Sequence, residues 1–296
     1  MADKKVAIIT GASRGIGRGC ALELAKKGYV VVVAARSVKD GSAIEHSSTV
    51  KKSDMVPLPG SLETTAREVE QLGGEALVVK LDLFERSDCD NLINETLKNF
   101  GRIDVLINNA RYIGPGHMDH FIDTPTEVFD RHFLANVVNP LHLIRLALKP
   151  MIAQGGGIMI SVTSAAGNHE SSKDIGDGGW GLGYSISKAS VNRMIAGLGK
   201  EFRKWNIAFV GLEPGFVITE RMTQDMGAFG FDIPGLTTDV PGAVAAYICE
   251  HPYPMVFAGK TIDGPKFAPE HNLVDGRTFP DPYGPGTWGL PTGPIL

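Results

Sequence analysis

Val6-Ala7-Ile8-Ile9-Thr10-Gly11-Ala12-Ser13-Arg14-Gly15-Ile16-Gly17 decides the fold of this 296-residue chain. Val6 to Ile9 is short, apolar and free of alternation, the pattern of a strand buried on both faces. Beyond the glycines, Ile16, Cys20 and Leu24 recur at helical spacing as far as Lys27. Strand, tight turn and helix follow one another. Such a turn aims backbone N–H groups and a helix N-terminus at a phosphate. Glycine is needed there for positive φ and for close approach of a ligand to the main chain. The spacing G-x-x-x-G-x-G differs from the G-x-G-x-x-G fingerprint, yet it opens a βα unit as that fingerprint does. Gly11, Ser13, Arg14, Gly15, Ile16 and Gly17 are therefore expected to cradle a dinucleotide diphosphate, with an ordinary glycine-rich turn as the alternative.

Outward from that turn the chain alternates. Apolar, β-branched runs at 5–10, 29–34, 76–81, 105–108, 157–162, 207–212 and 260–262 read as strands. Helical patterns between them are clearest at 87–99, 125–149 and 184–205. Thr124-Pro125-Thr126-Glu127 combines a threonine N-cap, proline at the first helical position and a capping-box glutamate. Repeated βα units predict an α/β fold, a single doubly wound parallel sheet of Rossmann type that binds ligands at the carboxyl ends of its strands. The expected domain spans 1–264, and residues 265–296 form a Pro/Gly-rich tail whose composition reads as non-helical. Its Phe279, Tyr283 and Trp288 are expected to pack along this subunit or a neighbouring one.

A hydrophobic content of 43% is enough for one sizeable core. The net charge of −4 gives no basic surface for nucleic acid or an anionic membrane. Cys20, Cys89 and Cys249 fall in predicted helices and read as small buried residues of a reducing compartment. No apolar run reaches the ~20 residues of a membrane span, and Val6 to Ile9 is too short for a signal-peptide core. A cytoplasmic protein is the expectation. His117-Met118-Asp119-His120 lacks the further ligands that zinc needs, so no metal site is expected.

Tyr184-Ser185-Ile186-Ser187-Lys188 carries the chemistry. Residues four apart share a helix face, and an ammonium beside a phenol lowers the tyrosine pKa from about 10. Tyr184 then becomes a proton donor and acceptor near neutral pH.

The glycine turn and the Tyr184/Lys188 pair together resemble the short-chain dehydrogenase/reductase family in its classical branch. Asn108-Asn109-Ala110 resembles the family segment that ends the fourth strand. Asn136, in Leu134-Ala135-Asn136-Val137, resembles the catalytic asparagine of the following helix. Ile158-Met159-Ile160-Ser161-Val162-Thr163-Ser164 resembles the fifth strand with its catalytic serine. Pro214-Gly215-Phe216-Val217-Ile218-Thr219 resembles the segment that contacts the nicotinamide, through Pro214, Val217 and Thr219. Gly259 to Gly264 resembles the closing strand, so the likeness runs in order from about residue 5 to 265. It implies catalytic roles for Asn136, Ser164, Tyr184 and Lys188, with cofactor contacts from Asn109, Tyr184 and Lys188. Asn136 would position a water linking Lys188 to solvent.

The chain departs from the family at Arg111, where glycine is usual, and in the long stretch between Ser164 and Tyr184. Arg111 could narrow the nicotinamide pocket, bind an acidic substrate group or swing to solvent. Residues 37–60 are a polar insertion ending Pro57-Leu58-Pro59-Gly60, with a weaker likeness to hydroxysteroid dehydrogenase-like members. Residues 216–238, with Met222, Met226, Phe229, Phe231 and Leu236, read as an apolar substrate lid.

Cofactor choice turns on the end of the second strand, where an acid marks NAD and arginine accommodates a 2′-phosphate. Val33-Ala34-Ala35-Arg36-Ser37 holds no acid before Asp40, and Arg14 supplies a second cation, so NADP(H) is expected. Asp82 resembles the family residue that contacts adenine. The leading expectation is an NADP-dependent oxidoreductase passing a hydride between nicotinamide and a hydrophobic ketone or secondary alcohol, with Tyr184 as acid and base. The alternatives are a non-catalytic NADP-binding sensor or scaffold, and an isomerase or dehydratase. A homodimer or homotetramer is expected on the helices at 125–149 and 184–205. Phe129, Phe133, Val137, Leu141 and Ile144 form the stripe on the first, and Gly197 and Gly199 allow close approach on the second.

Overall fold

The computed structural model describes residues 4–171, 173–223 and 235–279. Every predicted strand forms. They are β1 (Val6–Thr10), β2 (Val30–Ala35), β3 (Glu75–Lys80), β4 (Val105–Asn108), β5 (Gly157–Val162), β6 (Ile207–Glu213) and β7 (Thr261–Asp263). All pair in parallel, in the order β3-β2-β1-β4-β5-β6-β7. The order reverses between β1 and β4, and the carboxyl ends of those two strands open the crevice where such sheets bind ligands. β1, β2 and β4 are buried throughout, whereas β3 and β7 are the edges and keep exposed residues.

The described helices are α1 (Gly15–Lys26), α2 (Leu62–Gln71), α3 (Arg86–Phe100), α4 (Thr126–Phe133), α5 (Asn139–Ala153), α6 (Leu182–Glu201), α7 (Asp239–Glu250) and α8 (Gly264–Glu270). Leu24, Val69 and Val244 pack on one face of the sheet with Ile9 and Val33. Leu92, Leu143 and Met151 pack on the other with Ile8 and Val32. Cys20, Cys89 and Cys249 are buried and unbridged. Among the described residues no helix is long and apolar enough to cross a membrane.

Three expectations are corrected. The long helix over 125–149 is broken by a π-helical turn at Leu134–Val138. One wide turn rotates everything after it, so the expected stripe does not lie on one face. Leu143 and Ile144 are both core residues, while Leu134, Val137 and Val138 stay at least partly exposed. The N-cap is Pro125 rather than Thr124, whose hydroxyl donates back to the His120 carbonyl at 2.9 Å. The start of the tail is helical. Asp263 caps α8 by accepting from Lys266 N, Pro265 sits in the first turn where it costs no hydrogen bond, and Ala268 is fully buried. Val274 is also buried and Phe279 packs against the same core, whereas Tyr283 and Trp288 lie outside the described residues.

Gly199 serves the fold as well: a Cβ there would stand 2.5 Å from Gly259 Cα, so its smallness admits the turn before β7. Gly197 faces open space.

Candidate functional site: the cleft at the end of the sheet

Gly11 and Gly15 take φ of +70° and +57°, backbone that side chains rarely adopt. Between them Arg14 serves as the N-cap residue of α1 without a side-chain cap. Beside this turn lies a cleft of about 1150 Å³, counting its open mouth. Gly11, Ser13, Arg14, Gly15, Ile16, Arg36, Asp82, Asn109 and Thr219 line it, together with Arg111, Tyr112 and Arg221. Gly17 does not. A Cβ on it would meet Gly11 O at 2.3 Å, so it lets α1 pack on the turn. Pro214 and Val217 are buried away from the cleft lining, and Val217 bridges Leu236. Met226, Phe229 and Phe231 of the expected lid lie outside the described residues.

The cleft is rich in cations. Arg14 donates to Pro59 O at 2.9 Å and Gly60 O at 2.8 Å, which holds it against the end of the insertion. Burial pulls its pKa down and the charge of Arg36 adds to that, while Glu220 opposes. The Arg36 side chain has no hydrogen-bond or ion-pair partner among the described residues. At the turn expected to cradle a diphosphate, Gly15 N donates to a carboxylate of the chain itself, Glu220 Oε2, at 3.0 Å.

Tyr184 and Lys188 both point into the interior, 8% and 4% exposed. Lys188 Nζ lies 5.8 Å from the centroid of the Tyr184 ring and donates to Val162 O at 2.7 Å. Arg111 approaches the same ring, its guanidinium carbon 5.5 Å from the centroid. Burial alone would raise the tyrosine pKa. Lys188, Arg111 and a hydrogen bond with Ser164 outweigh it and hold the phenol below its ordinary value. Burial also lowers the Lys188 pKa. The structure thus brings Ser164, Tyr184 and Lys188 together.

Asn136 sits in the π turn, and π turns recur at functional sites. Its Nδ2 donates to Tyr112 O at 2.9 Å and Ser187 Oγ at 3.1 Å, and its Oδ1 accepts from Tyr112 N at 2.7 Å. Both amide hydrogens are therefore used, while Oδ1 keeps a second lone pair open to a donor such as the expected water. Asn136 and Lys188 do line one small cavity with Ser161.

Several residues escaped the sequence. Glu213, at the end of β6, hydrogen-bonds Thr163 Oγ1 at 3.2 Å, and burial raises its carboxyl to about 7 against the pull of that bond and of Lys188. Ile113, Ala166 and Trp180 pack around Tyr184 as an apolar wall. His117 meets the Tyr184 ring edge-on at 5.4 Å, and burial beside Arg111 holds its pKa at about 3, so it is neutral. The insertion at 37–60 arches along the cleft through Ser42, Ile44, His46 and Leu58. Arg221 donates to His46 O and to Ser48 Oγ, tying the arch to the segment after β6. Asp119, 1% exposed, ties it to the loop after β4: it accepts from Thr49 Oγ1 at 2.6 Å, Val50 N at 2.8 Å and Gly116 N at 2.9 Å. Among the described residues no group of side chains could hold a metal ion.

A parallel sheet with this crevice, a glycine turn at β1 and a buried Tyr-Lys pair on α6 defines a dinucleotide-binding oxidoreductase architecture. The family model for short chain dehydrogenases matches residues 5–60 and 56–228. The chain belongs to that family, whose enzymes use a nicotinamide cofactor. It is 29% identical over 220 residues to 7alpha-hydroxysteroid dehydrogenase of Escherichia coli (strain K12), covering 74% of each chain. It is 31% identical over 224 residues to a 3-oxoacyl-[acyl-carrier-protein] reductase of Synechocystis, covering 76% of this chain and 78% of that one. A crystal structure of a short-chain type dehydrogenase/reductase from Mycobacterium marinum superposes with a TM-score of 0.70 at 25% identity, over 88% of this chain and 94% of that one.

Proposed function

We propose that this chain is an NADP-dependent oxidoreductase that interconverts a ketone and a secondary alcohol. The observation that carries the reading is the Tyr184 phenol, buried between Lys188 and Arg111 and hydrogen-bonded to Ser164, with Arg111 also lining the cleft beside the glycine turn. When bound, the nicotinamide supplies the hydride.

The protein's residues do the rest. Ser164 holds the carbonyl oxygen by a hydrogen bond, and Tyr184 gives that oxygen a proton as negative charge develops there. Lys188 stabilises the phenolate that remains, and the cavity it shares with Asn136 is the route for the returning proton. Arg36 and Arg14 crowd two positive charges at the end of β2. That arrangement is poor for an unphosphorylated ribose and good for a 2′-phosphate. Gly11, Ser13, Gly15, Ile16, Asn109 and Thr219 would hold the remainder of the dinucleotide. The half-exposed apolar side chains of the π turn and α5 support assembly as a homodimer or homotetramer, which light scattering at micromolar concentration tests.

Absorbance of reduced nicotinamide, followed with a ketone panel, tests the chemistry. Net oxidation of NADPH that vanishes in Tyr184→Phe, with cofactor affinity retained, supports the reading. Conversion of substrate without net cofactor use would move the chain to isomerase chemistry, and no turnover in either direction would leave a cofactor-binding protein.

A further inference from the structure

We infer that Arg111 selects the substrate by receiving an anionic group, a carboxylate, carried by the ketone or alcohol near its reacting carbon. This rests on the oxidoreductase reading of the Tyr184 site and adds what enters it.

Arg111 follows Ala110 at the end of β4, is exposed, and lines the cleft while its guanidinium reaches the Tyr184 ring. Among the described residues its guanidinium has no hydrogen-bond or ion-pair partner, and the contact it does make is with the face of the Tyr184 ring. The neighbouring cations differ. Arg14 is held by the carbonyls of residues 58–60, and Arg221 by His46 O and Ser48 Oγ. Arg36, also without a partner, stands after β2, on the other side of β1 from Arg111. Among the described residues, Arg111 is thus the guanidinium at the reacting end that no hydrogen bond or ion pair holds.

The charge balance there points the same way. Arg111 and Lys188 both bear on Tyr184, and among the described residues Glu213 is the carboxylate that acts on Tyr184 and Lys188, held partly protonated near neutrality by burial. Two cations against a half-titrated acid leave a positive field where the substrate must sit. A carboxylate offered to the planar fork of Arg111 makes two charge-assisted hydrogen bonds. Ile113, Ala166 and Trp180 supply an apolar wall around the same tyrosine. The site thus fits an amphiphile: an apolar body on Trp180, its carbonyl oxygen at Tyr184 and Ser164, and its anion on Arg111.

The experiment titrates benzoylformate and benzoylpropionate, each against its methyl ester, into the NADP-bound protein by calorimetry, with NADPH oxidation measured in parallel. The wild type is expected to bind at least one acid about tenfold or more tighter than its ester, the effect of one hydrogen bond to a charged group. Arg111→Gln should erase that difference without changing the affinity for NADP, and Arg111→Lys should restore part of it. Equal affinity for acid and ester in the wild type overturns the inference, whatever the turnover. So does a loss of NADP affinity in Arg111→Gln, which would place the guanidinium on the cofactor. A charge preference in binding with no NADPH oxidation would instead overturn the oxidoreductase reading and leave the anion site standing.

Discussion

The carboxylate of Glu220 accepts a hydrogen bond from the main-chain N–H of Gly15 at 3.0 Å, at the N-terminus of the helix that follows the glycine turn. That N–H is one of the donors a diphosphate would take. The protein therefore carries its own anion in the cradle, on the segment that follows β6. A dinucleotide must displace it, and the negative charge beside Arg14 goes with it. Glu220→Gln is expected to tighten NADPH binding by about threefold to tenfold, the worth of a charge at a helix N-terminus. Titration of nicotinamide fluorescence measures this, and an unchanged or weaker Kd would show that the carboxylate does not compete.

The proposed preference for NADP makes Arg36 the residue to test. The side chain lines the cleft without a partner of its own and sits close enough to Arg14 to depress its pKa. Arg36→Asp removes one cation and adds an acceptor for a ribose hydroxyl. The ratio of kcat/KM for NADPH over NADH should fall by about a hundredfold, as expected for losing one charge-assisted contact and gaining a repulsion. A ratio that stays constant would mean the 2′-phosphate is read elsewhere.

The fold was legible because its signals are local. The buried runs of β1 and β2 and the glycines between them need no distant partner to be read. The breaks are where distant partners decide. The π turn at Leu134–Val138 accompanies Asn136 bonds to Tyr112 and to Ser187, residues 24 and 51 positions away, which helical periodicity cannot register. Glu213 looks like an ordinary strand-end acid in sequence, and only the packing of β6 against Thr163 and Lys188 makes it a partly buried one with a raised pKa. Asp119 sat in a stretch read for metal ligands, while its bonds go to a loop some seventy residues earlier. Motif and likeness point to Ser164, Tyr184 and Lys188, which the fold places side by side. Trp180 and Ile113, which wall the same tyrosine, come from loops without a motif.

The pH profile should carry the mark of the Tyr184 environment. Reduction needs the protonated phenol, so its rate is high at low pH and falls as pH rises through the lowered tyrosine pKa. Alcohol oxidation needs the phenolate and rises over the same interval. Lys188→Met removes the strongest cation and should move both limbs to higher pH, with turnover lowered by about a hundredfold or more. Limbs that stay in place in that variant would assign the titration to another group.

Glu213 makes a stability prediction with a definite sign. Its carboxyl is raised from the ordinary 4.5 to about 7 by burial, so the folded state holds a proton that the unfolded state has released. Between those two values stability falls as pH rises, and below the unfolded value the contribution is constant. Glu213→Gln cannot ionise. Subtracting its melting curve from that of the wild type should isolate a loss of wild-type stability between pH 5 and 7, on the order of a few kcal/mol at most. A difference that does not vary with pH would show the carboxyl to be solvated.

Asp119 should behave as the clasp of the arch. It is buried, it accepts three hydrogen bonds, and two of the donors, Thr49 Oγ1 and Val50 N, belong to the insertion while Gly116 N belongs to the loop after β4. Removing a buried acceptor strands its donors, at about 1–3 kcal/mol for each group left dry. Water reaching the loosened arch recovers part of that, so Asp119→Ala is expected to cost about 2–4 kcal/mol overall. Asp119→Asn presents an amide nitrogen to one of the donors and should fall between the alanine variant and the wild type. The arch also lines the cleft through His46 and Leu58. Its release should therefore weaken NADPH binding severalfold and expose residues 40–57 to proteolysis while the sheet stays intact. Hydrogen exchange reads both regions at once. Protection lost at Val50 and Gly116 with β1 and β4 unaffected is the expected pattern, and uniform loss across the sheet would make Asp119 a residue of the global core instead.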